Sequence, residues 1–130
     1  MIVVDASAAL EVLLQTPAAP CLEARLFAQG ETLHAPHLLD LEAVHVLRRY
    51  AAAGAIDAQR GQEAIDDLTA WPLTRYPHDL FLARIWTLRH NLTAYDAAYV
   101  ALAETLQVTL VTCDTRLAAS IGHRATIVLV

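Results

Sequence analysis

The feature that most constrains this chain is its alternation of very short apolar runs with longer segments of helical period. Ile2-Val3-Val4 is β-branched throughout and opens the chain as a strand buried on both faces. Ala6–Leu14 follows in helical period, Thr16-Pro17-Ala18-Ala19-Pro20 breaks it, and Cys21–Gln29 reads as a second helix ending at Gly30. Leu33–Ala35 is a brief strand closed by Pro36, and His37–Ala53 a long helix stopped by Gly54. Asp57–Ala70 is a helix, Leu73–Tyr76 a strand between two prolines, and His78–His90 a helix ended by Asn91. Thr93 caps a helix running through Leu106, Thr109–Thr112 is a strand, Asp114–Ile121 a short helix and Thr126–Val130 the closing strand. Strands of buried composition separated by helices imply an α/β fold, a central parallel sheet with helices on both faces. Nothing marks a linker or repeat, so residues 1–130 read as one domain.

In such sheets ligands sit beyond the carboxyl ends of the strands, where the strand order reverses. Two acids stand at strand ends: Asp5, directly after Ile2-Val3-Val4, and Asp114, directly after Leu110-Val111-Thr112-Cys113. With a sheet order of 3-2-1-4-5, strands one and four would be neighbours and both carboxylates would meet in one crevice. Two further acids lie in apolar helical stretches. Glu42 stands between Leu41 and Ala43, with Leu38 and Val46 one turn to either side, and Asp96 lies in Tyr95-Asp96-Ala97-Ala98-Tyr99. Asp40 is about 200° around the helix from Glu42, so only one of them can face the crevice; Glu42 is the better choice, with Asp40 expected in solvent.

Each acid also has a structural role open to it. Asp5 and Asp114 can cap the helices they precede, Asp96 can complete a capping box with Thr93, and Glu42 can pair with Arg49 or His45. Four such acids are harder to explain one by one, because ionised carboxylates in apolar settings are costly unless paired or metal-bound. Oxygen ligands without lysine or histidine fit a hard cation, Mg²⁺ or Mn²⁺, which can activate water against a phosphodiester.

The net charge of −5 looks unsuited to a nucleic-acid substrate. Setting four acids aside at a metal site leaves ten against nine bases, and all nine are arginine, the better fork for phosphate. The absence of lysine disfavours a receiver-like phosphoacceptor domain and excludes a P-loop. Dinucleotide binding lacks its glycine fingerprint. Cys21 and Cys113 lie outside any C-x-x-C spacing, so neither a zinc nor a redox site is expected, and both read as small buried hydrophobes. No signal peptide or membrane span is evident, which sets a cytoplasmic expectation.

Four segments in order resemble the motifs of PIN domains, and in particular the VapC toxins of bacterial toxin–antitoxin pairs. IVVDASAAL resembles the opening strand with its Asp and small-residue turn, and LLDLEAVHVLRR the helix that supplies a glutamate. AYDAAYVALAE and LVTCDTRLA are similar to the third and fourth motifs, the latter with its Thr–x–Asp. The resemblance implies the order 3-2-1-4-5 and an acidic site of Asp5, Glu42, Asp96 and Asp114 holding Mg²⁺ or Mn²⁺. It places Ser7 and Thr112 as supporting hydroxyls; Arg116, two residues past Asp114, stands where it could meet an RNA phosphate, or equally be a solvated helix arginine. It further implies a ribonuclease that inhibits translation, restrained by a VapB-type antitoxin, with a catalytically silent PIN-fold binding module as the alternative. Apolar residues exceed what so small a core needs. Some of Leu10, Leu13, Leu14, Leu22, Leu26 and Phe27 are therefore expected to form the antitoxin groove, with a homodimer built elsewhere.

Overall fold

The computed structural model describes residues 1–130. Five strands form one parallel sheet: β1 (Ile2–Val4), β2 (Leu33–Pro36), β3 (Leu73–Tyr76), β4 (Thr109–Thr112) and β5 (Ile127–Leu129), in the order β3-β2-β1-β4-β5. The helices are α1 (Ala6–Leu13), α2 (Ala19–Leu26), α3 (Leu38–Ala52), α4 (Ala58–Ala70), α5 (Leu82–Thr87), α6 (Ala94–Leu106) and α7 (Thr115–Ala118). Right-handed crossovers carry the chain outward from β1 to β3 over α1–α4 on one face. The return from β3 to β4 then lays α5 and α6 on the other. Accordingly α1 packs on α2, α3 and α4, while α6 packs on α5 and on β1, β2 and β4.

β1 is buried along its whole length, with Val3 and Val4 fully enclosed, because it is the central strand and is covered from both sides. It pairs with β4 in the register Val4↔Val111, so Asp5 and Thr112 leave the sheet side by side. The order reverses between these two strands, which opens the crevice there.

Most expected elements lie within two residues of their places; three depart further. The second helix begins at Ala19, with Pro20 in its first turn, where a missing N–H is harmless. It also ends early, at Leu26, and Gly30 turns the chain at φ 85°. The segment expected as one helix from His78 to His90 is a 3-10 turn over His78–Phe81 followed by the short α5. There Phe81 is buried while Leu80 and Leu82 face outward. α7 stops at Ala118, leaving Ile121 exposed. Arg84 on α5 makes a two-pronged pair with Glu104 on α6, at 2.8 and 2.9 Å, which fastens α5 across the helix that carries Asp96.

Leu13, Leu22 and Leu26 belong to the core, as does Leu10, which reaches the surface only where it lines a groove against α3. Of the six apolar positions expected to offer a groove, Phe27 is the exposed one, its ring edge-on to Trp71. Cys21 is exposed, against expectation, and Cys113 is half-buried. No helix is long and apolar enough to cross a membrane.

Candidate metal and nuclease site

Asp5 follows β1 and serves as N-cap of α1. Its Oδ1 accepts from the Ala8 N–H at 3.0 Å and from the Ser7 hydroxyl at 2.7 Å, and its Oδ2 accepts from the Thr112 hydroxyl at 2.6 Å. Ser7 Oγ in turn accepts from the Cys113 N–H and lies 3.2 Å from Thr112 Oγ1, which accepts from the Asp114 N–H. The ends of β1 and β4 are thus laced together by two hydroxyls around one carboxylate. Burial pushes the Asp5 carboxyl above its ordinary pKa, outweighing the hydrogen bonds from Thr112, Ala8 and Ser7, and the charge of Asp96 adds to the rise.

Glu42 extends from α3, half-buried, and its Oε2 accepts from the Tyr99 hydroxyl at 2.5 Å. Neither Arg49 nor His45 holds it. Its pKa is raised chiefly by burial; the Tyr99 hydrogen bond opposes the rise, and the charges of Asp5 and Asp96 reinforce it. Asp96 occupies the first turn of α6, where Thr93 Oγ1 accepts from its N–H at 3.1 Å. Burial and then the charge of Asp114 raise its pKa, with Thr93 and Arg116 pulling the other way. Asp114 caps α7, its Oδ1 accepting from the N–H groups of Arg116 and Leu117.

These influences join Asp5, Glu42, Asp96 and Asp114 into one like-charged group around the β1/β4 crevice. Glu104, on the same helix as Asp96, shows the contrast: the Arg84 hydrogen bonds hold it below its ordinary value. The crevice acids have no such two-pronged arginine partner. Arg116 sits 3.7 Å from Asp114 with its side chain 92% exposed, a pair worth little in water. Asp40 points away from the crevice, as expected of the pair with Glu42. Its side chain is 38% exposed, with Oδ2 bound to Arg75 at 2.7 Å and Oδ1 buried and unpartnered.

As placed, no three His, Cys, Asp or Glu side chains stand close enough together to hold a metal ion. The carboxyls of Asp5, Glu42 and Asp96 are raised chiefly by burial and further by their acidic neighbours, and Arg116 at the rim is the cation that opposes the rise, at Asp96.

Beside Glu42 lies a largely apolar groove of about 750 Å³, lined by Ala6, Ser7, Leu10 and Glu11 of α1, Leu38, Leu41, Glu42, His45, Val46 and Tyr50 of α3, Tyr95 of α6, and Cys113. Leu41 and Tyr95 are 72% and 61% exposed. The groove therefore joins α1 to α3 and α6, where a pairing of α1 with α2 was expected; α2 turns its leucines inward. Sequence reasoning missed Tyr99 and the α3 wall. The signal for Tyr99 is its spacing, three residues after Asp96, which sets both on one helix face.

The family model described as PIN domain matches residues 2–120. Ribonuclease VapC12 of Mycobacterium tuberculosis is 45% identical over 130 residues, covering all of this chain and 99% of its own. Among solved structures, PAE2754 from Pyrobaculum aerophilum superposes with a TM-score of 0.70 at 27% identity, covering 97% of this chain and 81% of that one. VapBC2 from Rickettsia felis, bound to a DNA fragment from its promoter, gives a TM-score of 0.71 at 13% identity over 99% and 98% of the two chains, a likeness of fold alone.

Proposed function

Because the chain belongs to the PIN domain family, we propose that it is a VapC-type endoribonuclease toxin, dependent on Mg²⁺ or Mn²⁺ and restrained by a VapB-type antitoxin. The observation that carries this is the like-charged group of four carboxylates at the β1/β4 crevice, with no two-pronged arginine partner to balance it. Relatives named ribonucleases align along the whole chain, and the acids that the family motifs require are all in place.

Asp5, Glu42, Asp96 and Asp114 would hold the ion, which when bound supplies an activated water and neutralises charge on the phosphodiester. The chain's own part is to position. Ser7, Thr112 and the Ala8 N–H fix the Asp5 carboxylate in a single orientation. Arg116, free at the rim, is placed to meet an RNA phosphate. Purified protein should cleave RNA with Mg²⁺ or Mn²⁺ and stop on addition of chelator, with mapping of new 5′ ends after induction naming the target. Cleavage that persists undiminished in chelator would overturn metal dependence, and no cleavage of any cellular RNA would overturn the ribonuclease reading.

The largely apolar groove beside Glu42 is the antitoxin's proposed seat. Leu41→Glu puts a charge on an exposed wall residue and should weaken antitoxin binding by about tenfold or more while leaving the melting temperature unchanged. Equal binding by titration calorimetry would remove the antitoxin from this groove. Charges at Leu13 or Leu26 cannot serve as the probe, because both side chains are core and the variants would unfold. A homodimer is proposed through the exposed Leu80, Leu82 and Trp86, to be checked by sedimentation.

A further inference from the structure

Tyr99 stands one helical turn from Asp96 on α6, and only 1% of it is exposed. Its hydroxyl donates to Oε2 of Glu42 on α3, at 2.5 Å and 57 residues away in sequence, with the Ala6 backbone N–H at the start of α1 also beside it. We propose that Tyr99 is a positioning residue of the nuclease site, pinning one oxygen of Glu42 so that the other is presented to the metal; this rests on the metal-dependent reading above.

Three observations carry it. Glu42 has no arginine, histidine or backbone donor to hold it, so without Tyr99 its long side chain would be free to sweep the crevice mouth. Its Oε1 carries no hydrogen bond from the protein, and it is left for a ligand. Finally, packing alone would be served as well by phenylalanine, since a buried hydroxyl costs free energy unless it is partnered. A tyrosine here, aimed at a carboxylate, is explained by what it does to that carboxylate. One face of α6 thus contributes both an acid, Asp96, and the hydroxyl that orients a second acid on another helix.

The test uses Tyr99→Phe, which keeps the ring, in a cycle with Glu42→Gln. Mn²⁺ affinity is read by electron paramagnetic resonance on the protein without RNA, and cleavage kinetics are read separately. Tyr99→Phe should weaken Mn²⁺ binding by about tenfold or more and lower kcat with the KM for RNA unchanged. The double variant should be no worse than Glu42→Gln, because Tyr99 acts through that one carboxylate. Wild-type Mn²⁺ affinity in Tyr99→Phe, or a loss that adds in full to that of Glu42→Gln, overturns the positioning role. If wild type itself neither binds Mn²⁺ nor cleaves RNA, the nuclease reading falls and this inference falls with it.

Discussion

Asp5→Asn is expected to lower RNA cleavage by at least about 100-fold while melting no lower than the wild type. The two halves of this expectation have different causes. Activity falls because an amide is a neutral, weaker ligand at the one crevice position held from three directions. Stability holds because the hydrogen bonds can be rewired. The Asn Oδ1 still accepts from Ser7 and Ala8, its NH₂ donates to Thr112, and the Thr112 hydroxyl proton turns to Ser7 Oγ, 3.2 Å away. Burial already disfavours the ionised Asp5, so removing its charge relieves a penalty in the metal-free protein. Glu42→Gln should behave likewise in activity, its amide oxygen keeping the Tyr99 hydrogen bond. Circular dichroism and melting curves establish the fold, and single-turnover cleavage the loss. Wild-type rates from either folded variant would remove that residue from the site.

The sheet was legible in the sequence because its signal is local: Ile2–Val4 is apolar on successive residues, and Leu110 and Val111 form a second such run between two β-branched threonines, the composition of a strand buried on both faces. Asp5 and Asp114 were legible as site residues because strand ends are where such folds place ligands. Capping and site chemistry, set out as alternatives, prove compatible in space. Asp5 and Asp114 both cap a helix and both border the crevice. Cap geometry fixes the carboxylate by one oxygen, which is itself a way of orienting it. What could not be read was anything decided by the packing of distant segments. Leu13 and Leu26 have the same composition signature as Leu41, yet two are buried and one is 72% exposed, since only the stacking of α1, α2 and α3 settles which face is covered. The Tyr99–Glu42 contact joins residues 57 apart and has no local trace beyond its spacing from Asp96.

Asp96→Asn is expected to raise the melting temperature of the metal-free protein by a few degrees while removing activity, the usual opposition of a strained site to stability. Asp96 is pushed up in pKa by burial and then by Asp114, so folding raises its proton affinity. The sign follows by linkage. Between the unfolded and folded pKa values the native state binds more protons, so this contribution is fully present below the unfolded value and is lost as pH rises through the folded one. At neutral pH the ionised group is therefore a net penalty, which asparagine lacks. Added Mg²⁺ should stabilise the wild type by roughly RT ln(1 + [L]/Kd) and the variant less. The competing view makes Asp96 only the far half of a capping box. Half of that box exists, the Asp96 N–H donating to Thr93 Oγ1, whereas the returning bond from the Thr93 N–H to the Asp96 carboxylate is absent. The capping view requires the opposite sign: loss of a carboxylate at a helix N-terminus should destabilise by about 0.5–1 kcal/mol, with the metal response unchanged. Melts of both proteins at neutral pH, first in chelator and then in Mg²⁺, separate the two. An Asp96→Asn protein that melts lower than wild type and gains equally from Mg²⁺ would make Asp96 a cap and leave the crevice with three acids.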